Sequence, residues 1–400
     1  MRIQFIILVL GIVCLGCSAS KSKIEDSENL QEFDQLMSDI REQHIYLKER
    51  KALIRCIEKT YRPLVDTISQ SYYKVLFYEN LMNEFNDSHM HLTTNTEDSY
   101  RLNSPVYVEL REGRYYIKNI FSSELQYAPE ANVIGAEVVW FNELPFQEVI
   151  DAFPTQCHNR KDPVVKEWLA NKVVAGVYNE ARFLGLRLTN GEEFNLDVDK
   201  MNFKQRPGLL EATRQKDIGI IKINNSLGND SLPYYFDLAL EELMDTQALV
   251  LDLRNTSSGG NTSVAEPIMG RFISETREYQ GVELKEESYV RTISSVGETY
   301  TQPLYVLVGR WTGSMGEGMA IGFDGMKRGT VVGTEMYRLA GGMTTIMLKN
   351  SNYGARVSIE KLYHLDGRLR ETYVPAQYVN QQSVTEDEFL QKALDLIKNN

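Results

Sequence analysis

Residues 303–342 run PLYVLVGRWTGSMGEGMAIGFDGMKRGTVVGTEMYRLAGG. Leu304 to Val308 is a run of apolar strand formers, and Thr312-Gly313-Ser314 follows as a tight turn. From Met315 the spacing becomes helical, with apolar residues at Met319, Phe323 and Met326; Thr330 to Gly333 is a second short strand. A serine on a sharp strand-to-helix turn suits a nucleophile. Small neighbours admit a substrate carbonyl, and the first N–H groups of a helix lack intrahelical partners, so that of Met315 can face a developing oxyanion. The same features also fit an ordinary βαβ turn with Ser314 as the helix N-cap.

Residues 248–268, ALVLDLRNTSSGGNTSVAEPI, add a second strand, then Asp252 and Arg254, then a polar turn with paired Gly259 and Gly260 before a helix. Paired glycines let backbone amides face a ligand without side-chain obstruction, so this loop can supply the other half of an oxyanion hole. Together, DLR…GG and strand-T-x-S-x-x-E-helix resemble the C-terminal-processing (tail-specific) serine peptidase family. This chain has one more residue between Arg254 and the glycine pair than the usual form of the motif, which bears on how Gly259 and Gly260 are placed. The resemblance implies a crotonase-like (ClpP/crotonase-type) α/β catalytic core from about Asp217 onward.

A base must come from elsewhere in the chain. Asp87-Ser88-His89-Met90-His91-Leu92 holds two of the five histidines, and His is the side chain suited to take a proton near neutral pH. The pattern fits a strand start with both rings on one face; it also fits a shared metal ion, though a third protein ligand is not evident. The resemblance favours a third role. The tricorn-core-like branch of the family carries its catalytic His after a serine in this region, and the matching residues are Ser88 and His89. In that branch a Gly-x-x-x-Glu segment shortly before a proline carries an acid. Here that is Gly367 to Glu371 ahead of Pro375, with Ala376 where Asp is common. The Ser/Lys branch instead places a lysine about one βα unit after the serine. Tyr337 to Gly342 holds none, and Lys327 and Lys349 fall in the serine's helix and in a later strand pattern.

The resemblance therefore implies Ser314 as nucleophile and His89 as base, its pKa raised by a neighbouring Glu371. Glu371 and Ser88 would orient the site, and the N–H of Met315 with that of Gly259 or Gly260 would hold the oxyanion. It implies a protein or peptide substrate and neither metal nor organic cofactor. Two other classes stay open: a non-catalytic binding protein of the same fold, and a metal-dependent hydrolase using His89 and His91.

Composition bounds the rest. With 55 acidic and 43 basic residues the net charge is −12, and no basic stripe appears, which argues against a nucleic-acid partner. An apolar share of 42% over 400 residues supports several folded domains. Arg2 and the apolar run Phe5 to Val13 form a secretory signal, and Cys14-Leu15-Gly16-Cys17 resembles a lipobox. The expectation is an exported protein of a Gram-negative-type cell envelope, anchored to the membrane by lipid on Cys17; an ordinary cleaved secretory peptide is the alternative. Cys56 and Cys157 can pair in such a protein, though their spacing shows no proximity, and Cys157-His158 also invites a thiol reading.

The expected architecture is a multidomain α/β and α+β chain. Residues 1–17 are the lipoprotein signal, 18–100 a tether and an N-terminal helical region, 101–216 a PDZ-like β-rich domain, and 217–400 the catalytic core. Pro63 is expected to open the helix carrying Leu64 to Leu76. The oligomeric state is not legible.

Overall fold

A computed structural model describes residues 27–399 apart from Ser69, Asn202 and Gln205. The signal, the lipobox with Cys17 and most of the tether lie outside the described residues. No helix among the described residues is long and apolar enough to cross a membrane.

The chain opens with three helices, α1 (Glu28–Gln43), α2 (Lys51–Tyr61) and α3 (Ser71–Asn83). Pro63 does not open α3. It sits in a 3₁₀ segment, Arg62–Thr67, that separates α2 from α3 and leaves Leu64 exposed.

The β-rich region follows: β1 (Val106–Arg111), β2 (Arg114–Ile120), β3 (Glu137–Phe141), β4 (Leu144–Pro145), α4 (Phe146–Asp151), α5 (Pro163–Ala175), β5 (Phe183–Arg187) and β6 (Glu193–Asp197). Its sheet runs β1-β2-β3-β5-β6, with β4 on β3. The hairpin turns fall at Glu112-Gly113 and Asn190-Gly191, where Glu112 and both glycines take positive φ. The edge of β1 is capped by α5. Asn171 Oδ1 accepts the Val108 N–H at 2.9 Å, its Nδ2 donates to the Val108 carbonyl at 2.8 Å, and Glu167 Oε2 accepts the Leu110 N–H at 2.9 Å. A peptide added along β1 would have to displace these side chains.

The rest comprises β7 (Leu210–Gln215), β8 (Ile218–Ile223), α6 (Leu232–Glu241), β9 (Ala248–Asp252), α7 (Thr262–Gly270), β10 (Arg277–Glu283), β11 (Ser288–Ile293), β12 (Leu304–Val308), α8 (Met315–Gly325), β13 (Gly329–Gly333), β14 (Gly342–Met347), β15 (Gly354–Tyr363), β16 (Gln377–Tyr378) and α9 (Glu388–Lys398). The main sheet has the order β16-β13-β12-β9-β8-β7. It is parallel except for β7, so the sheet reaches back to Leu210, ahead of the expected boundary at Asp217. Strands β9 and β12 are buried at every residue. Helices α6, α7 and α8 cover one face, and Phe389 and Ala393 of α9 pack on the other, which is why both strands are unbroken apolar runs.

A second sheet, β11-β10-β15-β14, joins this core to the N-terminal helices. Phe33, Leu36, Ile57 and Leu81 share one apolar cluster with Ile346, Leu348, Ala355 and Val357. The helical region is thus packed into the core rather than set apart from it. Cys56 of α2 is disulfide-bonded to Cys157 beyond α4, with Cα atoms 5.8 Å apart, so Cys157 is no free thiol. Beside this bridge the Glu84 carboxylate accepts Tyr61 Oη at 2.7 Å and the Cys157 N–H at 2.9 Å.

Candidate active site

The site forms at the carboxyl ends of β9 and β12, where the loops of a parallel sheet meet. Thr256 and Thr312 zip the two loops together. The Thr256 N–H donates to the Trp311 carbonyl at 3.2 Å and the Gly313 N–H to the Thr256 carbonyl at 3.2 Å. Both threonine hydroxyls donate to the Leu253 carbonyl. Behind them, buried Arg254 grips Asp252 and Asp387 with distances of 2.6–2.9 Å, tying the DLR segment to the N-cap of α9. Asp252 and Arg254 therefore hold the loop in place rather than face the cleft.

Ser314 sits at φ 48, ψ −108, a conformation that costs a non-glycine residue energy and that the fold must impose. It caps α8, and Glu317 one turn on accepts its N–H at 2.8 Å. A side chain at Gly259 would lie 2.4 Å from the Ser314 Cβ, so only glycine fits there. In the loop, exposed Ser258 is held by the Asn225 amide, which accepts its N–H and donates to its Oγ, each at 2.8 Å. The two glycines differ in the partners of their N–H groups. Gly259 closes a turn by donating its N–H to the Thr256 carbonyl at 2.8 Å, whereas neither Gly260 nor Met315 has a partner for its N–H among the described residues.

His89 arrives from the other side. Asp87 Oδ1 accepts the His89 N–H at 2.9 Å, and the segment bonds to β15 through the Arg356 N–H to the His91 carbonyl at 2.8 Å. His89 Nδ1 lies 3.2 Å from the Ala340 carbonyl. A carbonyl can only accept, so Nδ1 carries the proton and Nε2 keeps its lone pair. Burial, then the nearby Arg370 cation, push the imidazole down to about 3, so it stays neutral above acid pH.

The loop 338–341 links the two halves. Glu317 accepts the Arg338 N–H at 2.8 Å with its other oxygen. Buried Arg370 donates to the Leu339 and Gly341 carbonyls at 2.9 and 2.8 Å, flanking the Ala340 carbonyl that holds His89. Ser314 and His89 do not hydrogen-bond to each other in this structure; catalytic contacts in unliganded sites are often long.

Glu371 and Ser88 depart from expectation. Glu371 Oε1 accepts the Tyr46 hydroxyl at 2.6 Å, and His89 takes its orientation from a backbone carbonyl instead. Nor does a neighbouring carboxylate raise the His89 pKa; burial lowers it. Ser88 Oγ accepts the Trp168 indole N–H at 3.2 Å. Among the described residues no group of three or more His, Cys, Asp or Glu comes together to hold a metal, so His91 gains no third ligand. Sequence reasoning missed Arg370, adjacent to the acid it did pick out. Glu317 carries a sequence signal of its own, since a Glu three residues after an N-cap serine is a capping-box pattern.

Residues 217–377 match the model of peptidase family S41. No curated protein matches the chain. Among solved structures the chain is similar to mature CPAF complexed with lactacystin, at 13% identity and a TM-score of 0.63, covering 93% of this chain and 99% of that one. It is similar to the photosystem II D1 C-terminal processing protease, at 13% identity and a TM-score of 0.55, covering 89% and 94%. A putative peptidase from Parabacteroides merdae matches at 14% identity and a TM-score of 0.55, covering 93% and 97%. At these identities the likenesses show the fold, a mixed α/β multidomain chain with a helical N-terminal region. The family match on that fold supports a serine peptidase.

Proposed function

We propose that this chain is a serine endopeptidase of the family whose model its residues 217–377 match, cleaving proteins or peptides through an acyl-enzyme on Ser314. One observation supports the reading: Ser314 is held in a strained turn against Gly259, and the N–H groups of Met315 and Gly260, the residues that follow each of them, have no partner among the described residues. An oxyanion would satisfy both; losing one such donor typically costs about 10²–10³ in rate.

Ser314 Oγ attacks the scissile carbonyl while His89 Nε2, the free ring nitrogen, takes its proton. The imidazolium returns that proton to the leaving amine, and water then hydrolyses the ester by the same route in reverse. The Ala340 carbonyl orients the ring and is the acceptor for its Nδ1–H. The His base, rather than a lysine, fits the tricorn-core-like branch. A binding protein of the same fold is the second reading, favoured by the missing Ser314–His89 hydrogen bond. Hydrolysis of unfolded casein separates them: turnover that is lost in Ser314→Ala supports the peptidase, and its absence in the folded wild type supports the binder.

Export and lipid anchoring at Cys17 are part of the same proposal. The signal-like start of the sequence supports them, as does the Cys56–Cys157 disulfide, since such bonds persist in oxidising compartments.

A further inference from the structure

Between the β-rich region and the core lies a cavity of about 360 Å³. It touches Ser88, next to His89, and Arg338, next to the loop that orients His89. Its walls include Tyr107, Trp168, Trp311 and Tyr337. Besides exposed Arg338, two nearly buried cations line it. Lys172 is 7% exposed, and its ammonium has no hydrogen-bond or ion-pair partner among the described residues. It lies only against the Tyr100 and Trp168 rings, at 5.7 and 5.9 Å from their centroids. Arg310 is 4% exposed, with Nε and Nη1 both unpartnered. Its one ion pair, to Glu335 at 3.1 Å, is shared, because Glu335 also meets Lys118 and Arg338.

Among the described residues the acids of the lining make no ion pair with Lys172 or Arg310. Glu167 spends its oxygens on the Tyr107 hydroxyl and the Leu110 N–H, and Asp87 on the His89 N–H and the Ser358 hydroxyl. Glu79, the acid acting most on Lys172, is beyond ion-pair distance and accepts the Tyr100 N–H. Burial outweighs the attraction of Glu79 and pulls the Lys172 ammonium down to about 8. An ammonium and two guanidinium nitrogens without partners, at a cavity beside the nucleophile's loop, leave donors for an anionic group from outside.

We propose that this cavity receives a carboxylate of the substrate, with the Lys172 ammonium as its principal receptor and Arg310 as the second. The carboxylate is that of an acidic side chain of the substrate near the scissile bond. This rests on the peptidase reading for its biological use, but binding can be read without turnover.

The test uses matched peptides that differ only by Glu against Gln at one position, or by a free against an amidated C-terminus. Affinity is read on Ser314→Ala protein by tryptophan fluorescence, since two of the three tryptophans line the cavity. kcat/KM is read on the otherwise wild-type chain. A charge-assisted contact predicts a preference of about ten- to a hundredfold for the carboxylate member of a pair. That preference should vanish in Lys172→Met and return in Lys172→Arg. A Glu-over-Gln preference supports the side chain, and a free-over-amidated preference without it overturns the proposal. No preference in either series, or one that Lys172→Met leaves intact, overturns the proposal. Binding preference without any turnover keeps the pocket and removes the peptidase reading.

Discussion

Glu317 accepts the backbone N–H of Ser314 at 2.8 Å while remaining completely buried. Its second oxygen holds the Arg338 N–H, so one carboxylate fixes both the nucleophile's turn and the loop that orients the base. Both contacts need an acceptor, which only the ionised form supplies on both oxygens.

This arrangement assigns the pH dependence. Burial pushes the Glu317 carboxyl up to about 7, against the opposing pull of Arg370 and the two N–H donors. His89 lies far lower, near 3, and stays neutral from mild acid upward. kcat/KM should therefore rise with one ionisation to a plateau above neutrality, and that ionisation belongs to Glu317. Stability moves the other way. The folded chain holds this proton while the unfolded chain, near 4.5, has released it, so the term is favourable below about 4.5 and is lost as pH climbs toward 7. Glu317→Gln should lose activity by about 10²-fold through misplacement and lose the ionisation. An unchanged profile in that variant would return the titration to a histidine.

The histidines and Glu371 separate by partner. His89→Ala should lower kcat by about 10²–10⁴-fold, the usual contribution of a positioned base. His91→Ala, and Glu371→Gln at the Tyr46 hydroxyl, should each stay within about tenfold of wild type, as groups not hydrogen-bonded to the base. Steady-state kinetics of the three folded variants decides this. A dead Glu371→Gln enzyme beside an active His89→Ala enzyme would reverse the assignment.

Much of this was legible from local pattern. The runs Ala248–Asp252 and Leu304–Val308 are buried on both faces, so their composition alone marked central strands, and Asn190-Gly191 marked its hairpin. Pro63 misled because the helical spacing of Leu64 to Leu76 continues across a 3₁₀ break. The Cys56–Cys157 pair, separated by 101 residues, is open from sequence, because proximity over that distance is a tertiary fact. The same holds for Ala340, whose role is played by a backbone carbonyl that any residue could supply, and for Arg370, which acts by bridging carbonyls from 29 and 31 residues away.

Arg254 is a structural keystone in the glycine-loop motif. Its guanidinium is buried between Asp252 and Asp387, so Arg254→Ala leaves two carboxylates facing each other with only Lys222, itself bonded to Glu124, as a nearby cation. The cost should be about 3–5 kcal/mol of stability, measured by urea denaturation. A variant within about 1 kcal/mol of wild type would mean that the network contributes little.

The disulfide ties α2 to the β-rich region across a long loop. Chain-entropy reasoning gives about 4–5 kcal/mol for a closed loop of this length, so reductant should lower Tm markedly. Two free thiols in the denatured mature protein, with Tm insensitive to reductant, would show that the bond is not formed.

The most direct measurement is covalent labelling of the purified protein with a fluorophosphonate, with the modified residue mapped by peptide mass. Stoichiometric labelling at Ser314 is expected, slowed in His89→Ala and absent from folded Ser314→Ala. A label mapped to any other serine, or one that persists on Ser314→Ala, would contradict the assignment of Ser314 as the nucleophile.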